Sequence, residues 1–339
     1  MRVHKLSSTI LAGAAVCCAV VAQATVTIDT VPVGNVGNKA DTAAHSGNPA
    51  GQGAVGYAYN IGKYEVTAGQ YTEFLNAVAD TDAYGLYNTN MWSSTYGCKI
   101  ERTGSSGSYT YSVASDYANR PVNYVSWGDA ARFANWLHNG QPTGAQGLST
   151  TEDGAYYLNG ATTNVQLLAV TRETDWKWAI TSEDEWYKAA YHKNDGDTGN
   201  YFTYPTSSNS LPSNVLGTPT DPGNNATFYN NGYTIGSPYY RTEVGAHENS
   251  DSPYGTFDQG GNVFEWNEAI IGGSSRGLRG GDWYGNSNNL AASAHGHSGT
   301  PTYEIYYYGF RVANVPEPGS LILLVSGAIV ALILWKRRK

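Results

Sequence analysis

Glycine and tyrosine constrain this chain more than any single motif, at 40 and 27 of its 339 residues. Glycine opens backbone conformations closed to other residues and weakens regular elements. So many glycines predict turns and irregular backbone, with tyrosine supplying the bulk that packs between them. Charged residues make up only 14%, well under the usual quarter. Asn, Ser, Thr, Gly and Tyr must then cover much of the surface. The net charge of −8 argues against a nucleic-acid partner, which needs a basic footprint. The expectation is an α+β fold of low regular content.

The two ends read differently from the middle. Arg2 and Lys5 precede an apolar stretch from Ile10 to Val21, and Ala22-Gln23-Ala24 follows. That is the layout of a secretory signal peptide over residues 1–24, with the mature chain starting near Thr25. Cys17 and Cys18 lie inside it, so Cys98 alone remains and no internal disulfide is available. At the other end Val315-Pro316-Glu317-Pro318-Gly319 precedes an apolar run from Ser320 to Trp335 and then Lys336-Arg337-Arg338-Lys339. As a helix the run is roughly 24 Å long, just short of a usual membrane span. The basic tail should stay in the cytoplasm. By residue chemistry alone this is a C-terminal anchor. The ordered combination over 315–339 resembles the PEP-CTERM sorting signal of Gram-negative bacteria. The resemblance implies an exosortase-type protease as partner, a membrane anchor at helix 320–335 before processing, and then the cell surface or matrix.

Between the ends, Thr25–Asp29 alternates polar and apolar and predicts a first strand that Pro32 would end. Tyr57–Tyr64 predicts another, more loosely. Three capping boxes announce helices: Thr67/Gln70, Ser126/Asp129 and Ser182/Glu185. The first is followed by Tyr71, Phe74, Leu75 and Val78 at helical spacing, the second by Ala130, Phe133, Ala134 and Leu137. Residues 80–120, 138–170 and 194–256 are turn-rich. No repeat and no composition break occurs before Asn314, which predicts one domain over 25–314.

Five segments then resemble the formylglycine-generating enzyme, or sulfatase-modifying factor, family. They are Ile61–Thr67, Arg120–Trp127, Thr181–Ala190, Gly261–Trp266, and Arg279-Gly280-Gly281-Asp282-Trp283 closed by Gly309-Phe310-Arg311. They occur in the family's order over about 250 residues. The resemblance implies the family's complex C-type lectin-like fold. On residue chemistry, Trp127, Trp186, Trp266 and Trp283 are candidate core, and Arg279 and Arg311 are placed to bridge buried carbonyls or Glu265.

Catalytic relatives bind copper through two cysteines between the last two motifs, since copper(I) wants soft thiolates. Here Asp282–Tyr308 contains no cysteine, so copper is not expected. Replacement ligands would be His295 and His297, with Glu304 as a third, or the two histidines are simply polar loop residues. The acids Glu183, Asp184 and Glu185 suit the first turn of a helix without any catalytic role. The resemblance also implies two structural calcium sites. One uses Asn214, Val215, Asn231 and Tyr233, with Asn231 standing where the family has an Asp. The other uses Asn262, Val263 and Glu265. The Asn194–Asp197 loop looks faintly like a further calcium loop but reads better as a turn.

Trp283, Tyr284, Tyr303, Tyr306 and Tyr307 concentrate aromatic surface in the segment that carries chemistry in relatives. Tyrosine gives large contact area with little rotamer entropy to lose. These five are the candidate ligand-binding residues, with surface carbohydrate or protein as ligand. The leading expectation is an exported, non-catalytic binding module. The alternative is a metal-dependent oxidoreductase or sulfatase-modifying enzyme with altered ligands.

Overall fold

The computed structural model describes residues 25–43, 51–217, 222–294 and 297–316. The expected signal peptide, the sorting tail with its apolar run, and His295 lie outside these residues. No helix among the described residues is long and apolar enough to cross a membrane.

Ten short strands form: β1 (Thr30–Val33), β2 (Tyr59–Gly62), β3 (Ile100–Thr103), β4 (Thr110–Val113), β5 (Trp178–Ile180), β6 (Phe264–Ile271), β7 (Ser275–Arg279), β8 (Ser298–Gly299), β9 (Tyr308–Gly309) and β10 (Val312–Asn314). One sheet runs β1-β2-β10-β5, all antiparallel. A second runs β8-β7-β6-β9, with β9 parallel to β6. β3 and β4 make a separate hairpin. The first strand lies later than Thr25–Asp29 and contains Pro32 rather than ending at it. β1 is an edge strand, where a missing N–H costs no ladder bond.

The helices are α1 (Ala68–Val78), α2 (Asn90–Ser93), α3 (Trp127–His138), α4 (Asn164–Ala169) and α5 (Glu183–Tyr191). All three expected capping boxes close, on Thr67, Ser126 and Ser182. Thr163 and Gln166 close a fourth on α4, inside a stretch that reads as loop.

The core sits where α1, α3 and the Gly309–Arg311 turn meet. Phe74 packs on Phe133 at 5.3 Å and on Trp136 at 5.2 Å, and Phe133 meets Phe310 at 5.4 Å between ring centroids. Such rings contribute their buried area plus roughly 0.5–1.5 kcal/mol per pair. Trp127, Trp186, Trp266 and Trp283 are all essentially inaccessible. Arg311 ties the sheets together. It donates to both oxygens of Glu265 on β6 (2.5 and 2.6 Å), to the Gly62 carbonyl on β2 (2.9 Å) and to the Phe257 carbonyl (3.0 Å). Trp186 Nε1 donates to the same carboxylate at 2.7 Å.

Candidate functional site: an aromatic wall around Trp283

The Arg279–Trp283 motif leaves β7 through Gly280 and Gly281, both at positive φ. The turn drops Trp283 inward, and five tyrosines pack around it. Tyr240 lies 4.7 Å from its ring, Tyr96 5.4 Å, Tyr233 5.5 Å, Tyr284 5.6 Å and Tyr306 5.8 Å. Tyr307 extends the wall from Tyr306 at 4.7 Å, and Tyr229 from Tyr233 at 5.2 Å. Trp283 itself is 1% exposed. It is therefore the floor of the wall rather than a contact surface, since its face is spent on the surrounding rings. Tyr284, Tyr233 and Tyr229 stand outward at 55%, 40% and 43%.

Of the five expected ligand-binding residues, Trp283, Tyr284, Tyr306 and Tyr307 come together. Tyr303 is exposed but its ring contact is with Tyr308, off the wall. Sequence reasoning missed Tyr96, Tyr229 and Tyr240. They come from separate turn-rich stretches with no spacing in common with Trp283. The wall is held from behind by buried Asn123, whose Nδ2 donates to the carbonyls of Tyr96 (2.8 Å) and Tyr306 (2.5 Å). Arg241 adds a bond to the Tyr96 carbonyl at 2.7 Å.

Beside the wall lies a hollow of about 290 Å³, lined by Asp282, Tyr284, Asn289, His297, Tyr306 and Tyr307 among others. Burial pushes Asp282 up to about 6, against the stabilising N–H groups of Tyr284 (2.7 Å) and Gly285 (3.0 Å). Burial also pushes Tyr306 up to about 12. The hollow thus offers neutral hydroxyls and one carboxyl, a donor and acceptor set suited to a polyhydroxylated ligand.

The metal expectations divide. His297 lines this hollow, whereas Glu304 turns away to Asn88 and Asp129. No three His, Cys, Asp or Glu side chains among the described residues converge on one point. Cys98 is fully buried, its Sγ 3.8 Å from the Asn123 carbonyl, and fits no copper site. In the first calcium set, Asn214 Nδ2 meets the carbonyls of Gly232 (2.9 Å), Phe228 (3.3 Å) and Asn230 (3.4 Å). These are not the expected Val215 and Tyr233 carbonyls, and the group among them is an N–H donor rather than a ligating oxygen. Val215 is exposed beside it, and the Tyr233 ring belongs to the wall. The second set does not fit either. Glu265 already carries Arg311 and Trp186, so a cation there would face a guanidinium on the same carboxylate. The acids opening α5 are structural: Glu183 binds Arg279 and Asn267, Asp184 accepts the Gly53 N–H, and Glu185 caps the helix and pairs with Arg172. In the Asn194–Asp197 turn, Asp195 is bound to Thr198 and Asn200.

Comparison with known proteins agrees with this architecture. The model of the sulfatase-modifying factor enzyme 1-like domain matches residues 19–316. The chain belongs to that family. The PEP-CTERM protein-sorting motif matches residues 314–339, which implies export, membrane anchoring before processing, and an exosortase-type protease as partner. Among solved structures, CarF superposes with a TM-score of 0.51 at 19% identity, covering 86% of this chain and 99% of that one. The Treponema denticola variable protein 1 does so with a TM-score of 0.50 at 19% identity, covering 87% and 97%. At that identity the likeness is one of fold. No curated protein matches the chain.

Proposed function

We propose that this protein is an exported, non-catalytic member of the family whose aromatic wall binds carbohydrate at the cell surface or in the matrix. The observation that supports the reading is the convergence of seven tyrosines on and around Trp283, three of them (Tyr284, Tyr306 and Tyr307) from the segment where catalytic relatives keep copper. Tyrosine faces stack on sugar rings while their hydroxyls reach the rim. The scaffold is the lectin-like variant of the fold in a single domain over 25–314. Two thiolates are missing from Asp282–Tyr308, so the family's oxidation has no ligand set here.

The test is a glycan array with the purified exported protein, followed by titration of the best ligand into Tyr284→Ala and Tyr233→Ala. Both residues are exposed, so each variant should keep its fold. Each should lose about tenfold or more in affinity, as central aromatic contacts do. An array without ligands, or affinities untouched by both substitutions, overturns the reading.

A further inference from the structure

The segment between β2 and α1 places Glu65 in the interior. Its residue is 2% exposed, and neither carboxylate oxygen has a hydrogen-bond partner. A carboxylate left this way is strongly disfavoured unless something neutralises it. Its charged neighbours, strongest first, are Asp258, Arg311 and Glu265. Arg311 is already committed to Glu265. Among the described residues three carboxyl groups therefore face one guanidinium; burial raises Glu65 and pushes Asp258 up to about 6, because two of the three have no counter-charge when ionised.

The placement of the pair is enforced by backbone. Phe257 N–H bonds the Lys63 carbonyl at 2.8 Å, which brings the two acid-bearing stretches side by side. Asp258 sits at φ +61 and accepts the Gly245 N–H at 2.6 Å. Gly245 must be glycine, because a Cβ there would lie 2.6 Å from the Tyr64 ring. Asp258 is only partly buried. Val244 lines two surface hollows, one of about 520 Å³ shared with Glu65 and one of about 450 Å³ shared with Gly245.

We infer that Glu65 and Asp258 are the carboxylate ligands of a buried site for a hard divalent cation of calcium type. Two units of negative charge match one divalent ion, and the donors at hand are oxygens rather than sulfur or imidazole. Two carboxylates are too few to fill its shell, so carbonyl and water oxygens complete it, as calcium accepts. Neither residue belongs to the two calcium sets implied by the family resemblance. The site also explains how Glu265 can serve Arg311 while the remaining charge is balanced separately.

The experiment uses the full exported chain, stripped with EDTA and titrated with calcium chloride, with thermal unfolding and calorimetric binding as readouts. Wild type should gain several degrees in Tm with calcium. Glu65→Gln and Asp258→Asn should each lose most of that gain, and in EDTA Glu65→Gln should melt no lower than wild type. Asn214→Ala, on the other loop, should retain it. A wild-type Tm equal in EDTA and calcium shows that protons neutralise the pair and overturns the inference. So does a gain as large in both acid variants as in wild type, or one that Asn214→Ala abolishes. Should the acid variants fail to fold, calorimetry on the stripped wild type and on Asn214→Ala still decides: calcium binding that persists in Asn214→Ala supports the inner site, and no binding by Asn214→Ala refutes it.

Discussion

Arg311 and Glu265 form a buried ion pair, yet the structure makes the two partners unequal. Arg311→Met removes the guanidinium that, alone among the described residues, faces Glu65, Asp258 and Glu265, together with its bonds to the Gly62 and Phe257 carbonyls. Breaking a fully buried pair costs about 3–5 kcal/mol, and the orphaned carbonyls push this site to the upper end. Glu265→Gln leaves Arg311 among the two other acids, and the amide oxygen can still accept from Trp186 Nε1. Its cost is that of charged hydrogen bonds replaced by neutral ones, about 1.5–3 kcal/mol, reduced by relief of repulsion among the acids. Urea denaturation in EDTA measures both. With a slope near 3 kcal/mol/M, Arg311→Met should lower the midpoint by roughly 1.5 M and Glu265→Gln by less than about 0.7 M. A Glu265→Gln variant as unstable as Arg311→Met would refute the claim that negative charge is in excess here.

Further outcomes follow from other sites. Burial and the neighbouring Asp129 raise Glu304 to about 9; a carboxyl raised on folding gives stability that is present below its unfolded pKa and lost as pH rises through the folded value. Tm by circular dichroism should thus fall between pH 5 and 9, and fall less in Glu304→Gln. Gly261→Ala should destabilise by well over 1 kcal/mol in the same urea assay, because Gly261 is at φ +88 and a Cβ would lie 2.1 Å from the Thr227 carbonyl oxygen. Burial raises the Cys98 thiol, so a thiol reagent at pH 8 should modify it only after urea is added; rapid labelling of native protein would contradict its placement.

Much of the scaffold was legible because its signals are local. A capping box needs only four residues, and Thr67, Ser126 and Ser182 each opened a helix as expected. The tryptophan motifs were legible for a similar reason, since a large apolar ring beside glycine or a helix start has few places to go except inward. The β3–β4 hairpin was not legible. Its turn, Gly104 to Gly107, sits in a stretch of Ser and Thr that reads as loop on both sides, and few of the hairpin's residues (Ile100, Tyr111 and, partly buried, Val113) face the core. The first strand forms at Thr30–Val33 rather than over the alternating Thr25–Asp29, and it includes Pro32. It is tolerated at a sheet edge, and edge position is a property of the whole sheet.

The aromatic wall shows where local reading ends. Tyr284, Tyr306 and Tyr307 could be nominated because they lie between two recognisable motifs. Tyr96, Tyr229 and Tyr240 had no such bracket, and nothing in their own neighbourhoods separates them from the chain's other tyrosines. What selects them is the backbone behind. Asn123, in the Arg120–Trp127 motif, binds the Tyr96 and Tyr306 carbonyls at once, and Arg241 fixes Tyr96 from a third stretch. That motif therefore acts on the wall without touching a ligand, and its polar member is a positioning residue. Asn123→Ala should loosen Tyr96 from Tyr306 and weaken ligand binding, although Asn123 itself is wholly buried. Asn123→Asp, which keeps the shape but presents oxygen to two carbonyl oxygens, should weaken it more. Equal binding by Asn123→Asp and wild type would mean that the wall does not depend on this support.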